Sequence, residues 1–187
     1  IGLLLTALDR LPLSEPLASQ IHFLAAKIGL ESDGTRLGIA LSDEPSGKLT
    51  FNLGTVQGDA ASFIIRINYR YPVTKTYEDC APILNLAFAE SGFTQLKEIH
   101  KKCLYLPENS PLVQTLLRVY AEQTGLPPYP KSIGGGTYAK VIPNIVAFGP
   151  IFPGDEVREH KPDEFIKIDE LMQNAHILAE ALYQLAK

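Results

Sequence analysis

The sequence predicts an α+β fold in two parts, an expectation that comes from hydrophobic periodicity and from the order of the elements. Two neighbouring stretches alternate apolar and polar residues, which is typical of half-buried strands. Apolar residues at helical spacing lie before and after this pair. The predicted main elements of the first part are helices at about 1–10, 17–28 and 76–92 and strands at about 48–57, 58–71 and 94–105. The order helix, strand, strand, helix, strand predicts a ferredoxin-like α/β sandwich whose first strand is missing.

The second of the paired strands has two chemically different faces. Its apolar side is formed by Phe63, Ile65, Ile67 and Tyr69, and its other side by Ile64, Arg66, Asn68 and Arg70. A strand of this kind has one face against a core and the other open to solvent. Gly58 and Asp59 are predicted to form the turn that joins it to the preceding strand.

The second part, residues 107–187, is predicted to contain two helices with a glycine-rich segment and a strand between them. Ser110 is a natural N-cap, Pro111 suits the first helical position and Gly125 ends that helix. The strand is expected near 145–148, and the closing helix at about 169–186. The apolar stripe predicted for the closing helix consists of Leu171, Ala175, Leu178, Leu182 and Leu185.

Composition excludes several classes of protein. The chain has 187 residues, of which 45% are hydrophobic and 20% charged, as expected for a globular protein. The net charge of −4 and the scattered basic residues argue against nucleic acid as a partner. Two cysteines, Cys80 and Cys103, are too few for a disulfide framework, so we expect a reducing, cytoplasmic setting. No apolar stretch is long enough to cross a bilayer, and no membrane partner is expected.

Three consecutive glycines, Gly134, Gly135 and Gly136, form the first candidate site. They do not make a phosphate-binding P-loop, because three residues beginning at Thr137 separate them from Lys140. Two interpretations stay open at this point. The segment is either a flexible connector or a loop whose backbone N–H groups bind an anion.

His160 and Arg70 are the other candidates. The acidic residues around His160 are Glu156, Glu159, Asp163 and Glu164. A histidine among carboxylates suits a metal ion, although an exposed loop histidine is the simpler interpretation. Arg70 ends a strand and could hold a carboxylate through two hydrogen bonds, or it could form a surface ion pair. No H-x-x-x-H, C-x-x-C or G-x-S-x-G motif occurs, so the chain holds no complete catalytic constellation.

Taken together, three segments resemble the C-terminal part of bacterial Xaa-His dipeptidases. The segments are "VQTLLRVYAEQTG", "IGGGTYAKVIPNIVAFGP" and "FPGDEVREHKPDEFIKIDELMQNAHILAEALYQLAK", within about residues 109–187. These dipeptidases belong to the zinc metallopeptidase family that includes aminoacylase and carnosinase. The first half resembles the lid domain of that family more loosely, with "INYRYP" as its best match.

The resemblance implies a two-domain metallopeptidase that hydrolyses short peptides with a free C-terminal carboxylate through a metal-activated water. Residues 1–106 would be the ferredoxin-like lid, and 107–187 the C-terminal segment of an α/β catalytic domain that holds two zinc, or alternatively manganese or cobalt, ions. The resemblance makes His160 a metal ligand and Arg70 the residue that binds the substrate carboxylate. Gly134, Gly135, Gly136 and Thr137 would receive the same end of the dipeptide.

The resemblance also implies that much of the active site lies upstream of this chain. The base glutamate, the oxyanion histidine and the other metal ligands are expected there, so no catalytic residue is assigned here. The chain opens within a predicted helix and lacks an initiator Met, and we expect a truncated, inactive fragment that binds no metal on its own. The alternative is a non-catalytic α/β sandwich module that forms a homodimer through the sheet of the lid.

Overall fold

The computed structural model describes residues 1–59, 62–149 and 151–187. The chain divides into two compact units, Ile1–Lys102 and Cys103–Lys187, each with its own cluster of buried side chains. The sequence predicts the division at 106/107, close to this position. The assignment of the two parts to a lid and to a catalytic domain stays a prediction.

The first unit combines three α-helices with two small antiparallel sheets, which confirms the α+β class. Its helices are α1 Gly2–Leu8, α2 Leu17–Lys27 and α3 Ala81–Glu90, and its strands are β1 Ser42–Asp43, β2 Gly47–Lys48, β3 Thr50–Gly58 and β4 Phe63–Arg70. Two 3₁₀ turns, Thr35–Leu37 and Tyr77–Asp79, precede β1 and α3.

The β3–β4 hairpin is confirmed with the predicted division of its faces. Phe51 lies opposite Tyr69 and Leu53 opposite Ile67, and a bulge follows between Leu53 and Thr55. The inward side chains of both strands pack against a core of helix and loop residues. The fully buried members of that core include Leu5, Ile21, Leu24, Ile39, Leu49 and Leu84. In the predicted hairpin turn, the N–H of Asp59 donates to the carbonyl of Ser62 at 2.9 Å, while residues 60–61 lie outside the described residues.

The strand predicted near 94–105 is wrong. Residues 93–107 form neither strand nor helix, and each sheet in the described part of the chain has two strands. Alternating residues make a strand only where a neighbouring strand accepts their backbone hydrogen bonds. Side chains hold this segment instead: the Tyr71 hydroxyl lies 2.8 Å from Nε2 of His100, whose ring is 4.5 Å from that of Tyr77. The ferredoxin-like arrangement therefore stays a prediction.

The second unit contains two helices, α4 Pro111–Thr124 and α5 Ile168–Leu185, with a 3₁₀ turn at Tyr138–Val141 between them. Ser110 stands at the N-cap of α4 and Gly125 ends the helix with φ +69°, as predicted. The Ser110 hydroxyl, however, makes no capping bond. The strand predicted near 145–148 is not formed, and Pro150, which follows it, lies outside the described residues.

The buried face of α5 differs from the predicted stripe. Asn174, Ile177 and Ala181 are buried, and the latter two pack with Leu116 and Val119 of α4. The residues of the predicted stripe, Leu171, Ala175, Leu178, Leu182 and Leu185, are exposed. The sequence prediction failed because α5 has two adjacent apolar faces and the stripe marks the one that α4 does not cover.

Neighbouring alanine substitutions distinguish the two faces of α5. Ile177 is 3% exposed and Leu178 is 45% exposed. We expect Ile177→Ala to lower the free energy of unfolding by about 2–4 kcal/mol, because it leaves a cavity against α4. Leu178→Ala should cost less than about 0.5 kcal/mol in the same chain. Urea unfolding measures both, and equal losses would contradict the packing of α5.

Candidate functional site

Arg70 lies at the end of β4, on the face of the hairpin that points away from the core. It is exposed and pairs with Thr50, and Asn68 pairs with Asn52 on the same face. Its partner across the sheet, Thr50, and the next pair on the same face are therefore neutral polar residues. Among the described residues, no carboxylate forms an ion pair with Arg70, so the alternative of a surface ion pair is not realised there.

A turn between β1 and β2 holds the backbone that follows Arg70. Oδ1 of Asp43 accepts hydrogen bonds of 2.7 Å from both the N–H and the hydroxyl of Ser46. Oδ2 of Asp43 accepts from the N–H of Thr74 at 2.9 Å, and Oγ of Ser46 accepts from the N–H of Val73 at 3.0 Å. These bonds, together with buried Pro72, fix the exit of the chain from β4.

The electrostatics of Asp43 follow from these contacts. Burial raises the pKa of Asp43, but hydrogen bonds from Thr74 and Ser46 outweigh it and lower the pKa from 3.8 to about 2. Asp43 is therefore a carboxylate at neutral pH, and its charge strengthens every hydrogen bond that it accepts.

The glycine loop has no internal need for glycine at Gly135 or Gly136. Neither has a left-handed φ, and a Cβ on Gly135 would lie 3.9 Å from Cδ1 of Ile133. A Cβ on Gly136 would lie 3.7 Å from Nζ of Lys140, which is also an ordinary contact. The loop is exposed, and the Lys140 ammonium lies beside it. An approaching ligand would therefore meet bare backbone next to a cation.

Thr137 begins the 3₁₀ turn that follows the glycines. Its Oγ1 accepts a hydrogen bond of 3.2 Å from the N–H of Ala139, which is buried. This bond fixes the start of the turn, and the hydroxyl hydrogen can still be donated to another group. Thr137 thus has a structural role beside the one predicted from the resemblance.

His160 lies in an exposed turn with strained backbone. Its φ is +62°, and that of Asp163 is +57°, both in the left-handed region. The N–H of His160 donates to Oε2 of Glu164 at 3.3 Å, and the N–H of Lys161 to the carbonyl of Arg158 at 3.1 Å. A left-handed conformation costs a residue with a side chain about 1–2 kcal/mol. Because Asp163 shares this conformation, the backbone alone assigns His160 no specific role.

His160 is not part of a group of metal-ligating side chains in the described part of the chain. In residues 1–59, 62–149 and 151–187, no group of three or more His, Cys, Asp or Glu side chains is arranged to hold a metal ion. A zinc ion takes three or four protein ligands, and His160 supplies one. The role of His160 as a ligand stays a prediction. Arg70 belongs to the first unit, and the glycine loop and His160 to the second.

Sequence reasoning missed Asp43 and Ser46, which hold the end of β4. The signal that could have found them is the spacing Asp-x-x-Ser in "SDEPSG", which is typical of a turn closed by an aspartate side chain. Thr50 and Asn52 were also missed, although both follow from the alternation of β3 once its partner is known.

In the described ranges, no helix has the length and apolar character needed to span a membrane.

The amino-acid sequence is similar to those of proteins named as dipeptidases. No family model matches it. It is 37% identical over 169 residues to "Putative dipeptidase YtjP" of Bacillus subtilis, which covers 89% of this chain and 36% of the relative. It is 33% identical over 176 residues to the Beta-Ala-Xaa dipeptidase of Lactobacillus delbrueckii, with the same two coverages. A Staphylococcus epidermidis relative, "Putative dipeptidase", is 34% identical over 154 residues, 81% of this chain and 33% of its own length. The chain spans about a third of the length of these relatives.

The lowered pKa of Asp43 predicts a specific loss of stability in acid. Because the folded pKa of about 2 lies below the ordinary 3.8, Asp43 stabilises the fold above pH 4, and this contribution is lost as the pH falls towards 2. Asp43→Asn should lower the free energy of unfolding by about 1 kcal/mol at pH 6 and by much less at pH 2. Urea titrations at both values, with Glu44→Gln as the control, measure the difference. An equal deficit at the two pH values would contradict the assignment.

Proposed function

We propose that this chain is part of a dipeptidase and that its first unit binds the free carboxylate of a short peptide. The observation that carries the proposal is the state of Arg70: an exposed guanidinium on a polar sheet face, without an ion-pair partner in the described residues. The similarity to dipeptidase-named proteins along 89% of the chain supports the class of substrate. Neither the metal nor a preference for Xaa-His peptides is needed for this part of the proposal.

The chemistry of the site fits a peptide carboxylate. The planar guanidinium of Arg70 can donate two parallel hydrogen bonds to the two oxygens of one carboxylate. Asp43 and Ser46 hold the following backbone, so Arg70 projects from a fixed strand end. In the second unit, the exposed backbone of the loop Gly134–Gly136, with the Lys140 ammonium beside it, also suits an anionic end of a ligand. The two features are compatible with the same class of substrate.

The metallopeptidase reaction implied by the resemblance belongs to the complete protein. One histidine, His160, falls short of a zinc site, and the remaining ligands, the base glutamate and the oxyanion histidine would have to come from polypeptide outside this sequence. We therefore propose that the complete enzyme requires zinc, manganese or cobalt, and that the isolated chain is inactive. A cytoplasmic location, inferred from the two free cysteines, is part of the same proposal.

A substitution at Arg70 tests the role in binding. In the complete enzyme, Arg70→Ala should lower kcat/KM for a dipeptide about 10- to 100-fold, because a charge-assisted pair of hydrogen bonds is lost. The same substitution should hardly change the rate with the corresponding dipeptide amide, which lacks the carboxylate. Steady-state kinetics with both substrates measure this contrast.

Arg66→Ala provides the matched control for Arg70. Arg66 lies on the same exposed face of β4, four residues earlier, and pairs with Thr55. Its loss removes an equal charge and should leave the preference for the carboxylate intact. If Arg66→Ala and Arg70→Ala reduce activity alike, general electrostatics rather than a specific contact explains the effect. Unchanged kinetics in Arg70→Ala would reject the proposed role.

The alternative of a non-catalytic, self-associating module rests on a separate observation. The β3–β4 sheet has two strands in the described part of the chain, and no neighbour is paired with the outer edge of β4. An unpaired edge can pair with a second copy. This reading predicts a stable homodimer of the chain, whereas the dipeptidase proposal does not require one.

Two measurements on the purified chain separate these proposals. We expect no hydrolysis of dipeptides by residues 1–187 alone with added zinc, manganese or cobalt, because the described residues contain no group of three side chains arranged to hold a metal ion. Dipeptidase activity that purifies with the chain would contradict the proposal that the isolated chain is an inactive fragment. Size-exclusion chromatography with light scattering then gives the oligomeric state. A dimer abolished by a proline at Ile65 in β4, but not by one in the loop at Glu44, would favour the self-associating module.

A further inference from the structure

Two asparagines face each other across the β3–β4 hairpin, beside Arg70. Asn52 and Asn68 are partners in the register of the two strands, and both are exposed. Directly opposed residues of an antiparallel pair have Cβ atoms about 4.5–5.5 Å apart. The two side-chain amides are therefore close enough to contact one small group together.

The stability of the hairpin gives no reason for this pair. Asparagine is depleted in β-strands, where β-branched and aromatic residues are favoured. The neighbouring pairs on the same face have threonine on β3, at Thr50 and Thr55. In the part of the chain that the structure describes, neither side-chain amide of the pair forms a hydrogen bond with another protein group. The amides thus contribute no hydrogen bond to the fold, and their donors and acceptors are available to a ligand.

A β-bulge lies on the other side of the pair from Arg70. Gly54 has no partner in β4, because the register shifts between Leu53 and Thr55. A Cβ on Gly54 would lie 3.8 Å from Nδ2 of Asn52, so this amide is directly beside the bulge. Bulges bend and twist a strand locally, and they are frequent next to functional sites. The amide pair therefore lies between a cation and a bend in the sheet.

Arg70 and the amide pair differ in the groups that they can bind. A guanidinium has only N–H donors, which suits a carboxylate, whereas each asparagine side chain has one acceptor oxygen and two N–H donors. A carboxamide both donates and accepts hydrogen bonds, so it satisfies the asparagines better than a carboxylate does. An apolar side chain would leave all of these groups without a partner.

The spacing along β4 suits a substrate that carries both a carboxylate and a carboxamide. Asn68 lies two residues before Arg70 on the same face, a rise of about 6.6 Å along the strand. In a C-terminal glutamine, the carboxylate carbon and the carboxamide carbon are up to about 5 Å apart, from ordinary bond lengths. The long, flexible side chain of Arg70 can close this small difference.

We propose that Asn52 and Asn68 bind the side chain of the substrate's C-terminal residue and favour a carboxamide, as in glutamine. Arg70 binds the free carboxylate of the same residue. This inference rests on the proposed function, because Arg70 supplies the anchor. It adds a preference among dipeptides that recognition of the carboxylate alone does not give.

Two substrates of similar length test the preference in the complete enzyme. We expect kcat/KM to be at least about fivefold higher for Ala-Gln than for Ala-Met, because only the first makes hydrogen bonds to the amides. Asn52→Val combined with Asn68→Val should reduce this ratio to about one, since valine has no donor or acceptor in its side chain. The change should appear in KM for Ala-Gln with kcat little altered, because the contact is made equally in the bound substrate and in the transition state.

Gln57→Val is the matched control. Gln57 also carries a carboxamide on the exposed face of β3, but it pairs with Ile64 at the other end of the hairpin. Its replacement should leave the ratio between Ala-Gln and Ala-Met unchanged. Urea unfolding of residues 1–187 checks for a structural role of the asparagines. The double variant should have an equal or higher urea midpoint, since valine is the better strand residue.

Four results would overturn the proposal. One is a ratio near one in the unchanged enzyme, or a ratio that the double variant retains. Another is a lower urea midpoint of the double variant, which would give the asparagines a structural role. The third is an equal loss with Ala-Gln and Ala-Met, which would assign the amides to the peptide bond that both substrates share. The fourth is a preference for Ala-Glu over Ala-Gln that persists in the double variant, which would assign the side chain to a guanidinium.

Failure of the proposed function gives a different result. In that case the complete enzyme hydrolyses neither dipeptide, or Arg70→Ala leaves kcat/KM for both unchanged, and the preference for a carboxamide is rejected with it. Failure of the present inference alone leaves the effect of Arg70→Ala in place with Ala-Gln and Ala-Met alike.

Discussion

The two-residue period of the β3–β4 hairpin decides where the candidate binding residue of the first unit lies. With Phe51, Leu53 and Ile67 directed into the core, each intervening residue is directed outwards. Arg70 is one of these outward residues, three positions beyond Ile67. A slip of one residue in the pairing would bury a guanidinium and expose the apolar face, and burial of an unpaired charge is too costly for that arrangement to compete. The core of the unit therefore fixes the side on which Arg70 is presented.

The β1–β2 turn adds the second constraint on Arg70. A strand end frays unless its last backbone groups have partners, and here Asp43 and Ser46 supply them to Thr74 and Val73. The ionised state of Asp43 strengthens these contacts, and the contacts in turn lower its pKa. Packing of the core determines the face of the hairpin on which Arg70 lies, and the β1–β2 turn fixes the end of the strand that carries it. Arg70 thus starts from a defined backbone position, which would reduce the entropy lost in the proposed binding of a carboxylate.

Local patterns were sufficient to predict the elements whose partners lie nearby. The helices α2, α3 and α4 and the β3–β4 hairpin follow from short-range periodicity and from end signals such as Gly125. Elements that depend on a distant partner were predicted poorly. The alternating residues near 94–105 find no strand to pair with, and α5 uses one of two apolar faces that periodicity alone does not rank.

The residues of the candidate site, like the elements of the fold, were predicted only in part. Arg70 and the glycine loop were found as residues with an unusual chemistry for their position. The hydrogen bonds that hold the strand end were missed, because Asp43 and Thr74 are 31 residues apart and no pattern connects them. The left-handed backbone of His160 was also not predicted, because only a small fraction of histidines adopt this conformation.

The second unit contains two residue choices that local stability does not explain. At Gly135 and Gly136, the backbone conformation and the space around it would accept a side chain, yet glycine is present and adds to the entropy lost on folding. At His160 the backbone adopts a conformation that glycine takes at less cost, yet histidine is present. The two choices are opposite, and the proposed roles of these residues in binding a ligand would account for both. A ligand that approaches the backbone closely requires the absence of side chains at the glycines, and a ligand held by imidazole requires its presence at His160.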